Sequence, residues 1–358
     1  MDMNTKNWVV PFPEKDMEQE LKKIRRNLQR RNCRIILTCL FLVAALLIGT
    51  IRFVIPAAEQ QFWNPDQKTF HSVYSDLAIA LGVYAELFCP DQAVTNVTAQ
   101  KNGFASYTLS VEMTDTMFYN DESYLIGHVN KGKMTLPDGI WDLPGRIFTN
   151  TDAEMPATPK EIVQKYNNYI YNVIDSFPDY LEVFAAVSFP KDLNMKEFVE
   201  LEQTYQDTCR FGWIAIRIQN YEDKVLPLCG MKPSAPAIGN WEIVNETYPY
   251  FQVNTARFDE EHPEIFYEEH FKTLLRFSLD QVNAGTGLTP RYWYDPGTYH
   301  PDGSYYSRAL DYVEENGVYT YGGYVYASPD TLLEMMDKGI ICDITYQDSW
   351  LDPYPILD

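Results

Sequence analysis

Two histidine-bearing stretches hold most of the side chains suited to chemistry. Glu260–His270, EEHPEIFYEEH, offers His262, Glu268, Glu269 and His270. A zinc hydrolase places two imidazoles one helical turn apart with a glutamate beside the first, the HExxH arrangement. That spacing is missing here, and the stretch reads as the solvated, acidic start of a helix. Tyr299–Gly303, YHPDG, puts His300 and Asp302 in a turn without a third ligand nearby. Cys89, Cys209, Cys229 and Cys342 are widely spaced and form no CxxC pair, so neither a zinc site nor a thioredoxin-like motif is written. In an oxidising compartment such cysteines can pair. Cys209 and Cys229 are the nearest two, with buried thiols as the alternative. No GxSxG, P-loop or GxGxxG occurs. The expectation is a protein that is not an enzyme and holds no metal and no cofactor.

Two other groups of residues suit binding. Arg291–Arg308, RYWYDPGTYHPDGSYYSR, gathers Tyr292, Trp293, Tyr294, Tyr299, Tyr305 and Tyr306 among turn formers. Tyr and Trp offer rigid amphipathic area on which a sugar or peptide stacks. The same composition also suits a loop folded onto its own domain by aromatic burial. Near the N-terminus, residues 14–31 have helical periodicity, with Met17, Leu21, Ile24 and Leu28 in one apolar stripe. Such a helix docks on a partner, pairs with itself, lies on a membrane leaflet, or simply extends the next segment.

That next segment runs from Ile35 to about Ile55 and is charge-free up to Arg52. About 20 apolar residues in a helix span a hydrocarbon core of roughly 30 Å. A secretory signal has a shorter apolar stretch and fewer residues before it, so an uncleaved span over 35–56 is expected. Nine Lys or Arg lie in residues 1–34, most of them between Lys22 and Arg34. Basic residues beside a span stay on the cytoplasmic side, which puts the stub inside and residue 57 onward outside the cell membrane. Residues 1–34 carry +4 and Arg52 one more, so of the formal −21 the part from residue 57 carries −26. Such acidity favours solubility and excludes direct nucleic-acid binding.

The outer part is expected to fold, since 15% of the chain is aromatic and 26 residues are Tyr. Lys68–Phe88 repeats apolar residues at helical spacing, and Ser106–Met113 alternates as a half-buried strand. A turn-rich stretch follows, and Asn150–Pro159 reads as a linker. Tyr180–Phe189 is a strand, Asn194 and Glu197 cap a helix, and Phe211–Ile218 is a second strand. The order repeats at Ser307–Gly317, Val318–Ala327, Ser328–Gly339 and Ile340–Tyr346, with Pro329 at the first helical position. The fold class is therefore α+β, a sheet covered on one face by helices. The divisions are 1–34, 35–56, 57–155 and 156–358.

The basic stub entering a single span, RRNLQRRNCRIILTCLFLVAALLIG, is similar to the N-terminal module of membrane-bound bacterial sigma factor regulators. VFAAVSFPKDLNMKEFVEL and VYTYGGYVYASPDTLLEMMD resemble the start and end of that family's extracytoplasmic module. The resemblance implies an anti-sigma-like regulator of transcription. It would restrain an extracytoplasmic-function sigma factor, directly or through a second membrane regulator subunit, and sense an envelope signal outside. It departs from the family in its cytoplasmic part, which has only 34 residues and one cysteine. The other reading is an extracytoplasmic module that binds cell-wall glycan or peptide with no sigma factor partner.

Overall fold

The computed structural model describes residues 14–70, 74–115, 121–135, 160–220, 228–233, 246–251, 262–286, 288–290 and 303–351. The chain divides into two compact units, Met1–Phe62 and Trp63–Asp358.

The first unit is helical. α1 (Glu14–Gly49) runs into a single π turn at Thr50–Val54 and then a short α2 (Ile55–Glu59). Its 36 residues extend about 54 Å at 1.5 Å each. Pro56 stands in the first turn of α2, where it has no N–H to give to the preceding turn and its ring crowds that carbonyl. The widened π turn lies immediately before it, where the hydrogen-bond ladder changes step. By length and composition this helix is able to cross a membrane.

The second unit is α+β. Four strands, β1 (Gln92–Gly103), β2 (Ser106–Asp115), β3 (Asp121–Asn130) and β4 (Lys133–Thr135), make an antiparallel meander in chain order. Five more make a second sheet in the order β7-β6-β8-β5-β9: β5 (Leu181–Asn194), β6 (Cys209–Ile216), β7 (Gly230–Met231), β8 (Tyr319–Ala327) and β9 (Asp343–Leu351). Every neighbouring pair is antiparallel. β5 and β6 therefore run parallel with β8 between them, and β8 and β9 run parallel with β5 between them. α5 (Met195–Tyr205) joins the first pair and α8 (Pro329–Asp337) the second. Two split β-α-β units interleaved in this way form a ferredoxin-like sheet. The chain between β6 and β8 adds β7, α6 (Pro263–Asn283) and α7 (Ser304–Asn316).

Alternation along the strands sorts the two faces. Val183, Ala185, Val187, Phe211, Ile214 and Val325 join the main core with Met195 and Phe198 of α5 and Leu332 and Met335 of α8. Phe184, Ala186, Trp213, Ala215, Tyr324 and Tyr326 form a separate cluster on the other face. Phe211 and Ile214 share a face although they are three apart, because the register shifts between Phe211 and Trp213 and a bulge inserts one residue. Helices α3 (Asp76–Phe88) and α4 (Lys160–Asp175) complete the unit. α3 contributes Leu77, Ile79, Leu81 and Phe88 to the same core as the five-stranded sheet.

The predicted caps are present. Asn194 and Glu197 form a reciprocal capping box, and the Ser328 hydroxyl accepts from the Thr331 N–H with Pro329 in the first turn. Other expectations shift. The helix expected from Lys68 begins only at Asp76, where Ser75 accepts from the Ala78 N–H. The turn-rich stretch contains β3 and β4. Neither β1 nor α4 was anticipated from periodicity. The expected linker 150–159 lies outside the described residues.

Candidate functional site

Two features have the geometry of binding surfaces, one in each unit. On α1, Met17, Leu21, Ile24 and Leu28 are between 50% and 59% exposed. Successive spacings of four, three and four residues keep them on one face. Four apolar side chains in water make a surface that gains by being covered, since fully burying a Leu contributes about 1.5–3 kcal/mol.

In the second unit, residues 246–251 form a strap across α6, and a groove of about 550 Å³ lies between them. Helical spacing along α6 builds the seat. The Thr273 hydroxyl donates to the Pro249 carbonyl at 2.7 Å. The Tyr248 hydroxyl donates to Asp280 Oδ2 at 2.8 Å, and its ring meets Phe277 edge-on at 5.1 Å. Desolvation and the Asp280 carboxylate both hold the Tyr248 hydroxyl protonated, pushing its pKa up. Tyr250 adopts a left-handed φ of 68°, which turns its carbonyl toward His270 Nδ1 at 2.7 Å. A carbonyl only accepts, so Nδ1 carries the proton. Arg276 edges the groove, bonded to Glu314 at 2.7 Å.

His270 also faces inward. Its Nε2 lies 2.9 Å from Glu86 Oε1 on α3, and both side chains are buried. With both ring nitrogens engaged, His270 ties the strap, α6 and α3 together. Beside this pair Lys232 is buried and donates to the Gln92 carbonyl at 2.7 Å. Burial pushes its pKa down, against the pull of Glu86, Cys89 and Asp91. The Trp213 indole donates to the Glu86 carbonyl at 2.7 Å. Charged groups in so dry a place are held only because each has partners.

His262 is exposed, 3.2 Å from Glu264 at the start of α6, as a solvated helix start requires. His270 in the same stretch is a correction, since it is a core residue. Its signal was the apolar spacing Phe266, Phe271, Leu274 and Phe277, whose buried face includes position 270. Tyr292, Trp293, Tyr294 and Tyr299 lie outside the described residues, as do His300 and Asp302. Tyr305 and Tyr306 are both buried and present no outer surface, so for these two the aromatic-burial alternative holds and the binding surface is corrected. Their rings pack on Phe88, and the Tyr306 hydroxyl donates to the Leu288 carbonyl at 2.8 Å. Beginning the helix at Ser304 rather than Ser307 shows them in line with Ala309 and Val313.

Cys209 and Cys229 are not joined to one another; they are buried thiols, as is Cys89. Burial pushes each of the three up to about 12. Cys342 is half-buried, its thiol 3.5 Å from the Ser188 carbonyl. Among the described residues no cluster of His, Cys, Asp and Glu is suited to a metal ion. Compared with known proteins, the chain finds no match among family models, curated proteins or solved structures.

Proposed function

We propose that this chain is a single-pass membrane regulator. Residues 35–56 lie in the bilayer, the basic stub is cytoplasmic, and the unit Trp63–Asp358 is outside. The observation that carries this reading is the exposed stripe Met17, Leu21, Ile24 and Leu28 on the same α-helix as most of the apolar run. A helix of this kind links a bilayer-embedded segment rigidly to a surface that needs a partner. The partner in this reading is an extracytoplasmic-function sigma factor or a second membrane regulator subunit, and the outer unit senses an envelope signal. Leu21→Asp with Leu28→Asp places charge in the stripe and leaves the apolar run untouched. The double variant should insert normally and derepress the partner's target promoter in a transcription reporter. Parental regulation by that variant would refute the reading.

A second reading, an outer binding module for glycan or peptide, has its own observation in the groove beneath the strap. It combines aromatic rings, Tyr248 and Tyr250, with Arg276 and Asp280 at its edge. Tyr248→Ala and Arg276→Ala should abolish retention of the outer unit on cell-wall material. Unchanged retention would exclude the groove as the binding surface.

A further inference from the structure

Among the described residues nothing packs against Gly49. It sits in ordinary right-handed helix at φ −59° and ψ −44°, and a Cβ there would meet no atom within 4 Å. Glycine is the poorest helix former after proline, so its presence points to a surface outside this chain. Its position is also informative. The spacing that joins Met17, Leu21, Ile24 and Leu28 continues through Arg31, Ile35, Thr38, Leu42 and Ala45 to Gly49. This is an unbroken alternation of threes and fours along one face of α1, the heptad seam of a coiled coil.

We propose that α1 pairs with α1 of a second copy of this chain, as a parallel two-stranded coil whose seam runs from the stub into the bilayer. The proposal rests on the membrane reading above, because copies inserted with one orientation are necessarily parallel. Charge complementarity supports that partner. With Leu21 and Leu28 as the first core position of each heptad, Glu20 precedes the core on one side and Arg25 flanks it on the other. In a parallel pair Glu20 of one helix faces Arg25 of its mate, once on each side of the seam. Both are exposed. Arg31 interrupts the seam where the stub meets the apolar run, at a depth from which its long side chain reaches the headgroups. Beyond it Thr38, Ala45 and Gly49 are small enough for two backbones to approach closely in lipid. The Thr38 hydroxyl is already bonded to the Arg34 carbonyl at 2.9 Å, so it brings no unsatisfied donor into the contact.

Self-pairing covers the same stripe that a cytoplasmic partner uses. The two states exclude one another, and an outer event that separates the copies would free the stripe.

The seam comes with a built-in control, because Cys33 lies on the far side of the helix from Leu28 in this register. The test uses the full chain in phosphatidylethanolamine–phosphatidylglycerol vesicles, with Cys33→Ser and Cys39→Ser as the background that reports any linking by the outer thiols. Leu21→Cys or Leu28→Cys in that background, oxidised with copper phenanthroline, should give disulfide-linked dimer. A chain retaining Cys33 alone should link at least about fivefold more slowly. Glu20→Arg should lower linking at Leu28→Cys about fivefold, and adding Arg25→Glu should restore it. Equal linking through Cys33, no linking at the seam positions, or no rescue by the charge exchange would overturn the pairing. No partner protein is present, so a negative result here leaves the regulator reading standing. A negative transcription assay, conversely, leaves the pairing standing.

Discussion

Replacing His270 by alanine removes a hydrogen bond to Glu86 and the donor to the Tyr250 carbonyl. It also removes a ring stacked on Phe266 at 5.9 Å. Leaving a buried polar group without its partner costs about 1–3 kcal/mol, and more where that group is charged. Lys232 lies near enough to Glu86 to feel its charge and takes over part of the imidazole's role, which places the expected cost near 3 kcal/mol. Glu86→Gln is the informative contrast. A glutamine amide donates to the bare Nε2 of a neutral imidazole, so both nitrogens stay bonded and the cost falls to about 1 kcal/mol. Trp63–Asp358 is a compact unit, and urea unfolding followed by tryptophan fluorescence reads both variants. With a slope of about 2–3 kcal/mol per molar urea, His270→Ala should lower the midpoint by about 1 M or more and Glu86→Gln by under about 0.5 M. The strap should loosen as well, seen as faster amide exchange in residues 246–251 in His270→Ala only. Equal midpoints for the two variants would refute the claim that the pair, rather than local packing, holds the strap and α3 together.

Gly230→Ala should destabilise the second unit by about 3 kcal/mol or more, because the added Cβ would stand 2.0 Å from the Ile214 carbonyl oxygen and 2.3 Å from the Trp213 ring. Loss of near-ultraviolet dichroism from Trp213 reports it, and an unchanged spectrum and melting temperature would count against the packing. Burial holds the Glu202 carboxyl above its ordinary 4.5, so its favourable contribution is full below that value and is lost as pH rises through the raised one. Glu202→Gln keeps the acceptor for the Tyr267 hydroxyl, and should raise the melting temperature at neutral pH and leave it unchanged below about pH 4. Cys89, Cys209 and Cys229, buried with thiols near 12, should resist iodoacetamide at pH 7.5 until the chain unfolds; prompt alkylation in the folded state would contradict their burial. Alkaline phosphatase should be inactive when fused after Arg34 and active after Asp358; the reverse pattern would invert the topology.

Much of this molecule is written locally. The alternation in SYTLSVEM, the Asn194–Glu197 box and the Ser328-Pro329 start depend on neighbours within a few positions, and the structure places a strand or helix at each. The apolar run and the basic cluster before it are likewise properties of composition along a short stretch. β1 was illegible because it is mostly exposed, and an exposed strand writes no alternation. Long-range pairing is where local reading stops. The interleaving of β8 between β5 and β6 and the insertion that brings α6 against α3 join residues far apart in the chain. Glu86 and His270, 184 positions apart, look in sequence like ordinary solvated charges. Tyr305 and Tyr306 look like an exposed aromatic surface until α7 turns them onto Phe88. Sequence alone determined the apolar run and those helices and strands whose caps or alternation are written locally, because backbone and side-chain physics there acts over a few residues. Only the tertiary structure decided which polar groups are buried and what they touch, because burial belongs to the assembled sheet and helices.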